Sequence, residues 1–247
     1  MILRQTLLGV SAGVALLVST TASATVETPF LQSAEVAPSV IGVGSGWIVG
    51  SGYVMTADHV VERCSRIQLD ASDGRRVQAV VVSRDPGHDV AVLHASLLSD
   101  VPAIPLAQLG AQPDERVHIV GFPDSKNSLA VSHGTAVAAT GGRVITTHPD
   151  NEGFPRMAMQ TRLDFGSSGS VVINKRGRAV GLAAGMLNTE RYNRESGRSA
   201  PPIGFAVPVS GLLDLLPDGM HWPASLSSDP LSLEEIERRV VRVICHG

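Results

Sequence analysis

Short apolar, β-branched runs recur along this chain, each closed off by glycine, proline or a charged residue. That rhythm restricts the fold to many short strands joined by tight turns. Residues 40–49 and 52–56 pattern as a hairpin turning at Gly50-Ser51, and residues 67–70 and 77–82 as a second, turning at Ser72-Asp73-Gly74. Residues 90–94, apolar up to His94, have the length of a buried strand. After a stretch with prolines at 102 and 105, a second set follows over 117–120, 130–140, 144–147, 157–161, 171–174, 179–183 and 204–207. Two groups of strands with a linker near 97–114 predict two packed β-barrels, an all-β fold. Helices are expected only late, a short one over 208–216 and a longer one over 231–245. The longer opens with Ser232 and Glu235 in capping-box spacing, and Leu233, Ile236, Val240, Val243 and Ile244 share one helical face. Residues 217–247 are accordingly read as a C-terminal linker and α-helix.

The first 24 residues stand apart: Arg4 precedes an apolar run over 7–18, and Ala22-Ser23-Ala24 supplies small residues for cleavage. This is the layout of a secretory signal peptide. The run is short against the ~20 apolar residues that a membrane span needs, which leaves a retained anchor as the alternative. The expected product is an exported chain, periplasmic or secreted, that begins near Thr25 and keeps no stable membrane span. In that setting Cys64 and Cys245 are either a disulfide or two unpaired thiols. A net charge of −3 with no run of like charge speaks against nucleic acid and anionic membrane surfaces as partners. Aromatic content of 4% speaks against a stacking surface for sugars or bases. Neither a His-Glu-x-x-His pattern nor a cysteine pair of metal-ligand spacing occurs, so no metal and no cofactor is expected.

Three segments far apart carry the chemistry. His59 lies in Thr56-Ala57-Asp58-His59-Val60-Val61, directly after a strand and in a helical turn expected over 57–63. Asp89 precedes the apolar run Val90-Ala91-Val92-Leu93, where a carboxylate can be shielded enough to orient an imidazole. Asp85, in Arg84-Asp85-Pro86-Gly87, reads instead as a turn residue, and His88 as an exposed neighbour. Ser168 sits in Gly166-Ser167-Ser168-Gly169-Ser170, where glycines let the backbone bend so that successive N–H groups converge. Those of Gly166 and Ser168 would form an oxyanion hole. Ser167 and Ser170 are competing hydroxyls, and spacing from Gly166 favours Ser168. Together the three segments offer a nucleophile, a general base and an orienting carboxylate.

On these residues the chain resembles the HtrA/Deg branch of the trypsin-like serine proteases. Gly44-Ser45-Gly46-Trp47-Ile48-Val49 and the following 52–61 resemble that family's first barrel. Asp85-Pro86 with 89–93 resembles its aspartate motif. Gln160-Thr161, 166–170 and 203–208 resemble its serine motif and the strand after it. The resemblance runs over about 38–216 and implies a chymotrypsin-like pair of six-stranded antiparallel barrels within a protease domain over 25–216. It also implies peptide-bond hydrolysis of polypeptide substrates in the cleft between the barrels. By motif, His59 is the general base, Asp89 its carboxylate, Ser168 the nucleophile and Gly166 an oxyanion donor.

The chain departs from that pattern in several places. Ser170 stands where the family has a glycine, beside the close approach of substrate, and residues 160–166 look about two residues short in the wall of the specificity pocket. Leu163, Ile203 and Gly204 lie where this fold builds that pocket and suggest small or medium apolar P1 residues. Arg162 would favour an acidic P1 only if it turned inward. Ser167, in place of the aspartate of digestive relatives, cannot pair with a new N-terminus, so activation by N-terminal insertion is not expected. The family's PDZ domain has no room after the protease, which suggests a stand-alone peptidase. Altered Ser170 and the short loop motivate the alternative of a protease-fold peptide-binding or scaffold protein with little or no turnover.

Overall fold

The computed structural model describes residues 39–123, 138–146, 156–216 and 230–247. The leader expected over 1–24 lies outside the described residues. In chain order the elements are β1 (Val40–Gly50), β2 (Tyr53–Thr56), α1 (Asp58–Val61), β3 (Arg66–Ala71), β4 (Arg76–Asp85) and β5 (Val90–His94). There follow β6 (Arg116–Gly121), β7 (Ala138–Thr146), β8 (Met157–Gln160), β9 (Val171–Asn174), β10 (Ala179–Met186) and α2 (Thr189–Ser196). The last are β11 (Ile203–Pro208), α3 (Leu233–Glu237) and β12 (Val240–His246). The strands close into two antiparallel barrels, ordered β1-β12-β3-β4-β5-β2 and β10-β11-β8-β7-β6-β9. Among the described residues no helix is long and apolar enough to cross a membrane.

The first barrel takes its sixth strand from the far end of the chain. The helix expected over 231–245 is one turn of helix followed by a strand. Its first turn forms as expected: Ser232 accepts from the Glu235 N–H, and the Glu235 carboxylate accepts from the Ser232 N–H. Beyond it, Val240, Val241, Val243 and Ile244 are β-branched and lose side-chain freedom in a helix. The space between β1 and β3 leaves backbone N–H and C=O groups on both of those strands to be satisfied. β12 pairs antiparallel with both, Val243 opposite Gly44 on one side and Leu69 on the other. Every residue of β12 is buried, so it shows no alternation by which a strand could be recognised.

Other differences are smaller. The two strands expected over 130–140 and 144–147 are the single β7 as far as they are described, with 130–137 and 147 outside the described residues. The short helix expected over 208–216 is two 3₁₀ turns, Val209–Gly211 and Leu213–Leu215. Helix α2 was not expected; Asn188 caps its N-terminus and Gly197 ends it at φ 65°, signals present in the sequence, but α2 buries no residue and carries no apolar stripe. One apolar cluster draws on both barrels, with Trp47, Val54 and Leu93 from the first and Val120, Val171 and Leu182 from the second, while a separate cluster around Ile119, Met157 and Val172 fills the second barrel.

Candidate active site

Strand register brings His59 and Asp89 together. β2 and β5 are neighbours with Thr56 opposite Ala91, so the residues just after β2 and just before β5 emerge at the same end of the first barrel. His59 follows on α1, and Asp89 turns at φ 60°, a left-handed conformation that Asp tolerates better than most residues. The Asp89 carboxylate grips His59 twice. Oδ1 accepts from the His59 backbone N–H at 2.9 Å, an N–H that the first turn of a helix leaves without an internal partner. Nδ1 of the ring lies 2.8 Å from Oδ2 and 3.0 Å from Oδ1. This bond raises the His59 pKa above its ordinary 6.5; burial pulls it down, and the charges of Asp89, Glu62 and Asp58 add to the rise.

A second ion pair stands behind the first. Asp58, buried next to His59, receives Arg84 Nε at 2.5 Å and Nη2 at 2.9 Å in a two-pronged contact. Arg84 lies on β4, just before the turn that carries Asp89, so the pair ties together the two segments that present His59 and Asp89. In that turn Asp85 accepts from the His88 N–H at 3.1 Å and meets the His88 ring. Burial works against the ionised Asp85, and the His88 contacts outweigh it, holding the carboxyl below its ordinary value. Asp85 is thus the turn residue expected, whereas His88 is half-buried and paired rather than an exposed neighbour.

The serine loop enters from the second barrel. Ser167 N–H donates to Asp164 O and Ser170 N–H to Ser167 O, each at 3.0 Å, which winds residues 164–170 into consecutive turns. Gly166 and Gly169 sit at φ 83° and 86°, in the region that favours glycine. A Cβ on Gly169 would lie 2.0 Å from Ser45 O and 3.0 Å from Ala57 N, so the loop packs directly on β1 and on the residue that caps α1. The three hydroxyls differ. Ser167 is buried, and its Oγ accepts from the Asp164 N–H at 3.3 Å. Ser170 is 1% exposed and fills the space left by Gly121, whose Cβ would stand 1.9 Å from Ser170 Oγ. Ser170 therefore faces the interior and not the approach of a substrate. Ser168 is half-buried; among the described residues neither its hydroxyl nor its backbone N–H has a hydrogen-bond partner, and the Gly166 N–H has none either.

A family model described as a trypsin-like peptidase domain matches residues 44–182, which takes in all three segments. The chain belongs to the trypsin-like peptidase family. Periplasmic serine endoprotease DegP of Salmonella typhimurium is 29% identical over 178 residues, 71% of this chain and 35% of that protein. Its Escherichia coli K12 counterpart is 27% identical over the same shares. The chain thus spans about a third of the length of these curated relatives. Among solved structures, a serine endoprotease from Yersinia pestis shares the fold at a TM-score of 0.57 and 22% identity, over 70% of this chain and 56% of that one. The HtrA-type protease AlgW, solved with a decapeptide, gives 0.56 at 25% identity, over 69% and 49%.

The remaining sequence-derived positions of this peptidase domain fall as follows. Leu163 is buried, Ile203 half-buried and Gly204 buried. A Cβ on Gly204 would lie 2.9 Å from both Leu163 Cδ1 and Thr161 Cγ2, so these two side chains occupy the space in front of it. Arg162 is exposed, with Nε 3.4 Å from Asp164 Oδ1, and does not turn inward. Cys64 and Cys245 form a disulfide with Cα atoms 5.1 Å apart, joining the segment after α1 to β12. Sequence reasoning missed Arg84, Ser45 and Gly121 as parts of the site. Ser45 lies in the Gly44-Ser45-Gly46 run that carried the resemblance, but both partners of its hydroxyl are distant in the chain.

Proposed function

We propose that the protein is an exported serine endopeptidase that hydrolyses peptide bonds of polypeptide substrates through an acyl-enzyme. The observation that carries this reading is the doubly bonded Asp89–His59 pair beside the loop of Ser168. With Asp89 accepting from Nδ1, the His59 tautomer leaves Nε2 free to take a proton. Ser168 Oγ attacks the substrate carbonyl as His59 removes its proton. His59 then returns that proton to the departing amine, and a water activated by the same imidazole releases the acyl group. The two unengaged N–H groups of Gly166 and Ser168 support their role as donors to the developing oxyanion. Ser167 and Ser170 are engaged elsewhere, which supports Ser168 as the nucleophile. Export fits the periplasmic relatives and a leader over residues 1–24.

Leu163 and Thr161 pack in front of Gly204, which supports small or medium apolar P1 residues. A peptide panel varied only at P1 tests this, and cleavage solely after Glu would overturn it. One observation favours a second reading, a peptide-binding protein of the same fold: the Ser168 hydroxyl makes no bond to His59 among the described residues. Free enzymes often hold that contact loosely until substrate binds. Labelling with a fluorophosphonate probe, read by mass spectrometry, separates the two. Stoichiometric label on Ser168, lost in Ser168→Ala and His59→Ala, is the expected result. A folded protein that takes no label gives the peptide-binding reading precedence.

A further inference from the structure

We infer that Ser45, a residue of the first barrel, is the positioning residue for the oxyanion-binding backbone of the second. The inference rests on the assignment of Gly166 and Ser168 as the oxyanion donors. Ser45 is fully buried on β1, and each of its polar groups is used. Its N–H donates to Ser168 O at 2.8 Å. Its hydroxyl donates to Gly166 O at 2.7 Å and accepts from the Phe122 N–H at 2.7 Å. Its carbonyl accepts from Thr56 Oγ1 at 2.7 Å.

The direction of these bonds follows from proton count. A serine hydroxyl carries one proton, and the Phe122 N–H can only donate, so the Ser45 proton is committed to Gly166 O. The carbonyls of Gly166 and Ser168 are thereby anchored to one side chain and one backbone N–H of the same residue. They bracket the peptide whose N–H belongs to Ser168. Gly166, at φ 83°, has no side chain of its own to resist rotation of the peptide that follows it. The surroundings keep this arrangement clear. A Cβ on Gly121 would come 2.6 Å from Ser45 Oγ, and one on Gly169 would come 2.0 Å from Ser45 O. A group buried this fully serves by what it holds, because its hydroxyl touches no solvent. The shape of the oxyanion loop is therefore set across the barrel boundary.

Ser45→Ala and Ser45→Cys test this, measured per active site titrated with a fluorophosphonate. In Ser45→Ala, kcat is expected to fall about 10- to 100-fold with KM changed less than about 3-fold, since the lost alignment is felt in the transition state. Affinity for a peptide aldehyde, whose adduct places an oxyanion in the same position, should fall by a similar factor. Ser45→Cys, with a weaker donor of similar shape, should lie between Ala and wild type. A purely structural role would lower the melting temperature and the titratable fraction while leaving kcat per site and aldehyde affinity unchanged, and that result overturns the inference. If wild-type protein takes no label, the peptidase reading fails separately. The crystal structure of Ser45→Ala then decides the positioning role: a rotated Gly166–Ser167 peptide upholds it, and an unmoved one overturns it.

Discussion

Replacing Gly121 by Ala puts a methyl group where the structure has no room for one. The added Cβ would stand 1.9 Å from Ser170 Oγ, 2.8 Å from Ser170 Cβ and 2.6 Å from Ser45 Oγ. Ordinary contact begins near 3.4 Å, so the closest clash is short by about 1.5 Å. Ser170 cannot swing into solvent, being 1% exposed, and Ser45 cannot yield without loosening its bonds to Gly166 and Phe122. Overpacking of this kind costs about 1–3 kcal/mol, and the rigidity of both neighbours places Gly121→Ala near 3 kcal/mol. Ser170→Gly alone should cost about 1 kcal/mol, mostly in backbone entropy. Combined, the two changes should cost less than their sum by about 1–2 kcal/mol, with the Ser45 contact leaving a residue of strain. Urea unfolding followed by the fluorescence of buried Trp47 measures each variant. Strict additivity would refute the reasoning, because it would mean that Ser170 does not occupy the space of Gly121. The same placement predicts that Ser170→Gly retains wild-type kcat/KM per titrated site.

Two further predictions concern His59 and the C-terminal strand. His59 must be neutral to accept a proton, and its raised pKa places the acid limb of kcat/KM above pH 6.5. Asp89→Asn removes the largest cause of that rise, so the limb should move to lower pH while the rate falls about 10⁴-fold, as in the serine-protease template; an unmoved limb would refute the pairing. Removing the disulfide in Cys64→Ser/Cys245→Ser frees a loop of 181 residues. Chain entropy alone puts this near 5 kcal/mol and measured bridges often give less, so a loss of about 2–5 kcal/mol is expected. Identical urea midpoints for oxidised protein and the double variant would contradict a bridge that restrains the unfolded chain.

Much of this molecule could be read from its letters. β5 was legible because four consecutive apolar residues, Val90 to Leu93, follow a turn signal, and its observed bounds are those expected. Residues 59 and 89 were legible because each sits at the end of a readable strand, and the strands' register needed only to be antiparallel to join them. Choosing among Ser167, Ser168 and Ser170 depended on spacing alone, since nothing local says which hydroxyl turns inward.

Local sequence therefore determined the strands, the turns that need glycine, and the residue types that the chemistry requires, because each depends on a few neighbouring residues. What only tertiary structure decided depends on groups brought together from far along the chain. Residues 240–246 became a strand because β1 and β3 left backbone groups unpaired between them, a demand that no helical pattern in their own letters could reveal. Ser45 reached Gly166 across 121 positions, and Gly121 met Ser170, only once two closed barrels stood side by side. Hydrogen bonds and excluded volume act through space, so their partners were settled by packing.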